Sequence, residues 1–161
     1  MFKIIKYLMD KLLEIGALLS ISAMIVVVVI QVFSRFALPR TPPWTEEATR
    51  ILFIYMVSFA GGLAVREKAF VNVDTFINYL PFKARQLLQI IIEAMIVVFM
   101  GIIVYHATFF VRIGAMQRSA ALLFPMAYVF VGMFIVALFI GIYTLFDLVH
   151  DVQSFSKGGQ Q

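Results

Sequence analysis

The chain contains no cysteine and few charged side chains. The absence of cysteine excludes disulfide bonds, thiol redox chemistry and thiolate metal sites. Only 14% of the 161 residues are charged and 63% are hydrophobic, too few charges to cover a soluble domain of this length. The net charge of +4 is spread between apolar runs, which argues against nucleic acid as a partner. The composition therefore predicts an integral membrane protein.

The few charges lie mostly between four apolar stretches of about 20 residues or more. A helix of that length crosses a hydrocarbon core of roughly 30 Å, and helices satisfy their own backbone groups in lipid. The sequence therefore predicts an all-α integral membrane protein, with one membrane domain over residues 1–161. We predict spans at about 12–38, 44–65, 86–111 and 120–148.

Three segments outside these spans have their own character. The first 14 residues alternate apolar pairs with Lys3, Lys6 and Asp10, which predicts an N-terminal amphipathic helix on the membrane surface. Residues 66–85 are half apolar and predict an interfacial connector. Residues 155–161 are expected to form a frayed tail.

Lysine and arginine are unequally divided between the two sides of the predicted spans. If the N-terminus faces the cytoplasm, that side holds Lys3, Lys6, Lys11, Arg66, Lys68, Lys83, Arg85 and Lys157. The opposite side holds fewer, namely Arg40, Arg112 and Arg118, with Arg35 and Arg50 at helix ends. Because cytoplasmic loops are enriched in Lys and Arg, we predict a multi-pass protein in a phospholipid bilayer, with both termini cytoplasmic.

The segment SRFALPRTPPWTEEATR, residues 34–50, is unusually polar for this chain. Its three prolines predict that the first helix ends near Leu38. Thr45 is suited to cap the second helix, and Trp44 suits the headgroup level of a bilayer. These features predict a tight helical hairpin on the outer side.

The charged residues of this segment predict ion pairs. Arg50 follows Glu46 by four residues and Glu47 by three, a favourable order on a helix. Arg35 lies at the outer end of the first span, where it must reach a carboxylate or extend to lipid phosphate. We therefore expect either an Arg35 contact with Glu46 or Glu47 that pins the hairpin, or simple snorkelling.

Two further features lie within the spans. Gly61 and Gly62 permit close approach of helices, most simply inside the bundle. Glu93 lies inside the third predicted span, and an intramembrane acid is a functional candidate. It could be protonated or hydrogen-bonded between helices, contact a larger subunit, or couple an ion.

The order of these residues resembles one family. SRF closes the first span, WTEEATR opens the second, Gly61 and Gly62 follow, and Arg66 precedes a VNVD that ends at Asp74. The chain resembles the small, four-helix (Q-type) membrane subunit of tripartite ATP-independent periplasmic (TRAP) transporters over nearly its whole length, with the specific residues at about 34–85. It departs from the family at Phe70-Val71, where His-Ile is common, so any role of that histidine is absent.

The resemblance implies secondary transport, without enzymatic activity or a cofactor. In this family a periplasmic binding protein delivers an organic acid, often a carboxylate or sialic acid, to a large membrane permease subunit that carries the substrate and sodium sites. The small subunit is required for uptake, as a scaffold or as part of the dock for the binding protein. The candidates for a structural or partner-interface role are Arg35, Trp44, Glu46, Glu47, Arg50, Gly61, Gly62, Arg66, Asp74 and Glu93.

Two alternatives remain at this stage. A small self-assembling proton-coupled exporter could use Glu14 or Glu93 as its acid. A four-helix membrane subunit of a redox complex would need paired haem ligands, usually histidines. His106 and His150 are predicted at opposite ends of the helices, so one haem could not bridge them. No nucleophile–base set or metal cluster favours an enzyme.

Overall fold

The computed structural model describes residues 2–67 and 82–158. They form four helices: α1 (Phe2–Ala37), α2 (Pro43–Arg66), α3 (Phe82–Met116) and α4 (Ala127–Gly158). All four are long and apolar enough to cross a membrane, and the described residues contain no strand. The predicted all-α class with four spans is confirmed.

The helices pack as an open row. The main contacts join α1 to α2, α2 to α4, and α4 to α3, so the order in space is α1–α2–α4–α3. The connections 38–42 and 117–126 lie together at one end, here called the loop end. The opposite end, where α1 and α3 begin and α2 and α4 finish, is called the terminal end.

The boundaries of the first hairpin follow from its prolines. α1 stops at Ala37, and the Leu38 N–H still bonds to the Ser34 carbonyl at 2.9 Å. Pro42 has an extended backbone (φ −64°, ψ 123°), and Pro43 occupies the first turn of α2, where its missing N–H costs nothing.

Other boundaries differ from the sequence prediction. The expected N-terminal amphipathic segment is continuous with the first span, because α1 is one unbroken helix. α4 begins at Ala127 rather than near residue 120, since the Ser119–Phe124 and Gln117–Met126 backbone bonds close residues 117–126 into a loop. It then continues to Gly158, through part of the expected tail. Most of the predicted 66–85 connector lies outside the described residues.

The best-buried side chains lie where α1, α2 and α4 meet near the terminal end. Leu13 is fully buried against Val65 and Tyr143, and Phe59 and Phe139 pack around them. The flanking helices α1 and α3 bury the smallest share of their residues. Most of their large apolar side chains therefore face outward, towards whatever surrounds the row.

Candidate functional site

The loop end begins with a compact first turn of α2. Thr45 is almost completely buried, and its hydroxyl donates to the Pro42 carbonyl at 2.8 Å. The expectation that Thr45 caps the helix is wrong: the cap position is Pro42, which has no side-chain donor or acceptor. The prolines place the helix start three residues earlier than a threonine cap would, and Thr45 braces the turn from inside.

The exposed face of this turn carries a local ion pair. Arg50 Nη2 lies 3.3 Å from Glu46 Oε1, with both side chains about 70% exposed (70% and 73%). This confirms the predicted pairing of Glu46 with Arg50. The contact stays within α2, and an exposed pair of this kind contributes at most about 1 kcal/mol.

Glu47 reaches a different element. The backbone N–H groups of Ala121 and Leu122 donate to Glu47 Oε2 at 2.9 and 2.8 Å. Both residues belong to the α3–α4 loop, residues 117–126. They lie 74 and 75 positions after Glu47 in the chain. One carboxylate oxygen therefore ties the second helical hairpin to the start of α2.

The α3–α4 loop has a closed backbone of its own. The Ser119 N–H donates to the Phe124 carbonyl and the Met126 N–H to the Gln117 carbonyl, both at 2.9 Å. Between these bonds, Leu123 adopts a left-handed backbone with φ 56°, which is uncommon for a leucine. The bonds to Glu47 on one side and to Ser119 on the other hold it there.

The structure favours one of the two alternatives for Arg35, which is extension away from the bundle without a carboxylate contact in the described ranges. Among the described residues it forms no ion pair with Glu46 or Glu47. Glu46 is taken by Arg50 and Glu47 by backbone donors, while Arg35 is exposed at the end of α1. The loop end therefore contains four exposed arginines with no carboxylate partner in the described part of the chain: Arg35, Arg40, Arg112 and Arg118.

The terminal end has the opposite arrangement, with several carboxylates around one arginine. Arg66 Nη1 lies 3.1 Å from Glu14 Oε1 and 3.5 Å from Asp10 Oδ2, and Arg66 Nε donates to Glu67 at 3.0 Å. Arg66 and Asp10 are only 24% and 20% exposed. Arg66, a predicted site residue, thus joins the end of α2 to α1.

Tyr143 extends this cluster to a third helix. Its hydroxyl donates to Asp10, which links α4 with α1 across 133 positions of the chain. Neither Tyr143 nor Asp10 was among the residues predicted to form a site. An available signal was the acidic pair Asp10 and Glu14, four residues apart on one helical face of a chain poor in acids.

The two predicted glycines pack inside the row. A Cβ on Gly61 would lie 2.8 Å from Val136. On Gly62 it would lie 3.0 Å from both Leu13 and Phe139, between α1 and α4. Gly101, in contrast, has no neighbouring heavy atom within 4 Å of such a Cβ. The close approach predicted for Gly61 and Gly62 is therefore present, and it lies within the bundle.

Glu93 accepts a hydrogen bond from Gln89 Nε2 at 3.2 Å and is half-buried. Arg112 follows it by 19 residues, or about 28 Å along α3. Glu14 and Arg35 on α1 are separated by 21 residues, or about 31 Å. Both spacings are close to the thickness of a hydrocarbon core, and Glu93 lies within the candidate membrane span Ala84–Met116.

The remaining predicted site residues are Trp44 and Asp74. Trp44 is 40% exposed at the loop end, in the first turn of α2. Asp74 lies outside the described residues. In the described part of the chain, no group of three or more His, Cys, Asp or Glu side chains is placed to hold a metal ion.

Comparison with known proteins identifies the family. Residues 24–154 match the model of the DctQ component of tripartite ATP-independent periplasmic transporters. The chain is 29% identical to a TRAP transporter small permease protein of Haemophilus influenzae, over 96% of this chain and 93% of that one. It is 30% identical to the ectoine TRAP transporter small permease protein TeaB of Halomonas elongata, over 91% and 77%.

A third relative is the sialic acid TRAP transporter small permease protein SiaQ of Vibrio cholerae, 29% identical over 63% of this chain and 59% of that one. These relatives are transport components rather than enzymes. The match covers all four spans, and it sets aside the exporter and the redox subunit. The chain belongs to the DctQ family, the small permease subunits of TRAP transporters.

Proposed function

We propose that this small permease subunit is a scaffold for the large membrane permease subunit in sodium-coupled uptake of an organic acid. A periplasmic binding protein would deliver the substrate. The tripartite organisation implied by the family supports these partners. A carboxylate or a sialic acid is the proposed substrate class, supported by the relative named for sialic acid transport.

One observation carries the scaffold role: the middle of every span is apolar. No Asp, Glu, Lys or Arg occurs in residues 15–34, 51–65, 94–111 or 119–146. Transporter cores use broken helices and polar groups near the bilayer midplane to hold substrate and ions. Here the four helices are unbroken, and the charged contacts lie at their ends. The substrate pathway is therefore assigned to the partner subunit.

The open row suits a supporting subunit. Among the described residues, α2 and α4 each have a closely packed helix on two sides, whereas α1 and α3 each flank the row. The exposed apolar faces of α1 and α3 can contact either lipid or the helices of a larger membrane protein. The row thus offers a large partner a broad surface.

We place the loop end in the periplasm and both termini in the cytoplasm, with the chain in the bacterial inner membrane. The support is the excess of Lys and Arg on the terminal side of the spans. In this orientation the four arginines that have no carboxylate partner among residues 2–67 and 82–158 face the compartment of the binding protein, and the Arg66 cluster faces the cytoplasm.

Reconstitution tests the proposal. Proteoliposomes with both membrane subunits, supplied with the binding protein, are assayed for uptake of radiolabelled sialic acid, ectoine and succinate under an inward sodium gradient. We expect uptake of one probe, and only when all three proteins and the gradient are present. Sodium-driven uptake by this chain alone, or full uptake without it, contradicts the scaffold role.

A further inference from the structure

We infer that Glu47 is a positioning residue, which fixes the α3–α4 loop as a docking element for the periplasmic binding protein. The inference rests on the proposed function. It assigns a role to the contact of Glu47 with the α3–α4 loop, which a scaffold for the large subunit does not require. The carrying observation is the bond pair from Ala121 and Leu122 to Glu47 Oε2, at 2.9 and 2.8 Å.

The loop is fixed far more firmly than a mere connection between helices requires. Its ends are closed by the Ser119–Phe124 and Gln117–Met126 backbone bonds, and its middle is held by Glu47. Consecutive backbone N–H groups form a natural site for an anionic oxygen, and the start of α2 also favours negative charge. Glu47 satisfies both with one carboxylate.

This fixation maintains an unfavourable backbone at Leu123. A leucine with φ 56° persists only where the surrounding bonds determine its conformation, and such residues concentrate at binding and switch regions. The side chain of Leu123 is 63% exposed, so burial in this chain does not account for its position. The strain therefore serves to present an apolar side chain at a defined place on the surface.

The surroundings indicate what kind of partner contacts this surface. Arg112 and Arg118 flank the loop, both exposed and without a carboxylate partner in the described residues, and Arg40 lies at the same end. The core of a protein interface needs shape complementarity, which a side chain held in one place supports, whereas fluid lipid tails adapt to an apolar side chain in any position. Exposed arginines at the same end of the row as a fixed apolar residue fit a soluble protein with an acidic docking face.

The test is a binding titration with matched variants. The complex of both membrane subunits, in nanodiscs of phosphatidylethanolamine and phosphatidylglycerol, is titrated with fluorescently labelled binding protein. Glu47→Ala should raise the half-saturating concentration by about tenfold, the scale of an interface anchor. Glu47→Gln, which keeps an acceptor oxygen, should have a smaller effect. Asp151→Asn is the control, because Asp151 lies on the last turns of α4 at the terminal end, and it should bind as the wild type does.

Two further readouts separate positioning from general damage. Hydrogen exchange should show faster exchange at Ala121 and Leu122 in Glu47→Ala, with exchange in the transmembrane helices unchanged. Leu123→Asn should weaken binding without faster exchange, because asparagine tolerates a left-handed backbone while the apolar side chain is removed. Recovery of the complex with the large subunit should be the same for all variants.

Each contrary result has a distinct meaning. Unchanged exchange in Glu47→Ala overturns the positioning role, and faster exchange with unchanged binding overturns the docking role. Lower recovery of the membrane complex would show that the loop contacts the large subunit instead, which also overturns the inference. If the wild-type complex itself binds no binding protein, the proposed function fails, and this inference fails with it.

Discussion

Glu46 and Glu47 are adjacent in the sequence but contact different parts of the molecule. Successive helical residues point about 100° apart, so Glu46 and Glu47 present their carboxylates in different directions. Glu46 lies on the exposed side and pairs with Arg50, whereas Glu47 faces the second hairpin and accepts two of its N–H groups. At the other end, Arg66 is the cation that balances carboxylates of α1 and α2.

Replacing Arg66 should loosen the attachment of α1. Arg66→Met leaves Asp10 and Glu14 without this cation, and unpaired, partly buried charges destabilise a protein. Allowing for partial solvent screening, we expect a loss of about 1–2 kcal/mol, measured by unfolding of the detergent-solubilised chain. Arg50→Met, at an exposed pair on the same helix, should cost less than about 0.5 kcal/mol. Equal losses of unfolding free energy in the two variants would show that the Arg66 cluster stabilises the chain no more than an exposed ion pair does.

At the scale of helices, local sequence signals predicted most of the architecture. Long apolar stretches can be recognised directly along the chain, and they predicted the four spans. The prolines predicted the turn between α1 and α2. The start of α4 was missed because residues 120–126 are apolar, yet backbone bonds close residues 117–126 into a loop. The partners of Glu47 and Asp10 lie 74 and 133 positions away, and only the packing of helices brings them together.

Glycine substitutions test the packing of these helices. Gly62→Val should separate α2 from α1 and α4, because even a Cβ there meets Leu13 and Phe139 at 3.0 Å. Overpacking of this kind costs about 1–3 kcal/mol, so the unfolding temperature and the recovery of folded protein should both fall. Gly101→Val is the matched control in the open face of α3 and should leave the stability of the isolated chain nearly unchanged.

The control gains a second use when the large subunit is present. If Gly101→Val is neutral in the isolated chain but lowers recovery of the two-subunit complex, the partner approaches α3 at this glycine. Should Gly62→Val prove as harmless as Gly101→Val in the isolated chain, the close packing of α1, α2 and α4 would be contradicted.

For the whole molecule, the two ends of the row differ in electrostatic character. At the terminal end Arg66 is surrounded by carboxylates, whereas at the loop end four arginines have no carboxylate partner among the described residues. If the loop end binds a soluble periplasmic protein, the four-helix row functions only when it is inserted in the membrane with that end in the periplasm. Orientation is therefore the property on which both the scaffold and the docking proposals depend.

Single cysteines can determine this orientation cleanly, because the chain has none of its own. Thr41 is exposed at the loop end, Ser154 is exposed near the end of α4, and Ser22 is exposed midway along the apolar part of α1. In intact cells from which the outer membrane has been removed, an impermeant maleimide should label Thr41→Cys. Ser154→Cys should react only after the inner membrane is permeabilised, because we place it in the cytoplasm. Ser22→Cys should resist the reagent in both cases, since hydrocarbon excludes it. The reverse pattern for Thr41 and Ser154 would invert the topology and remove the basis for docking at the loop end, whereas labelling of Ser22 would contradict the assignment of α1 as a span.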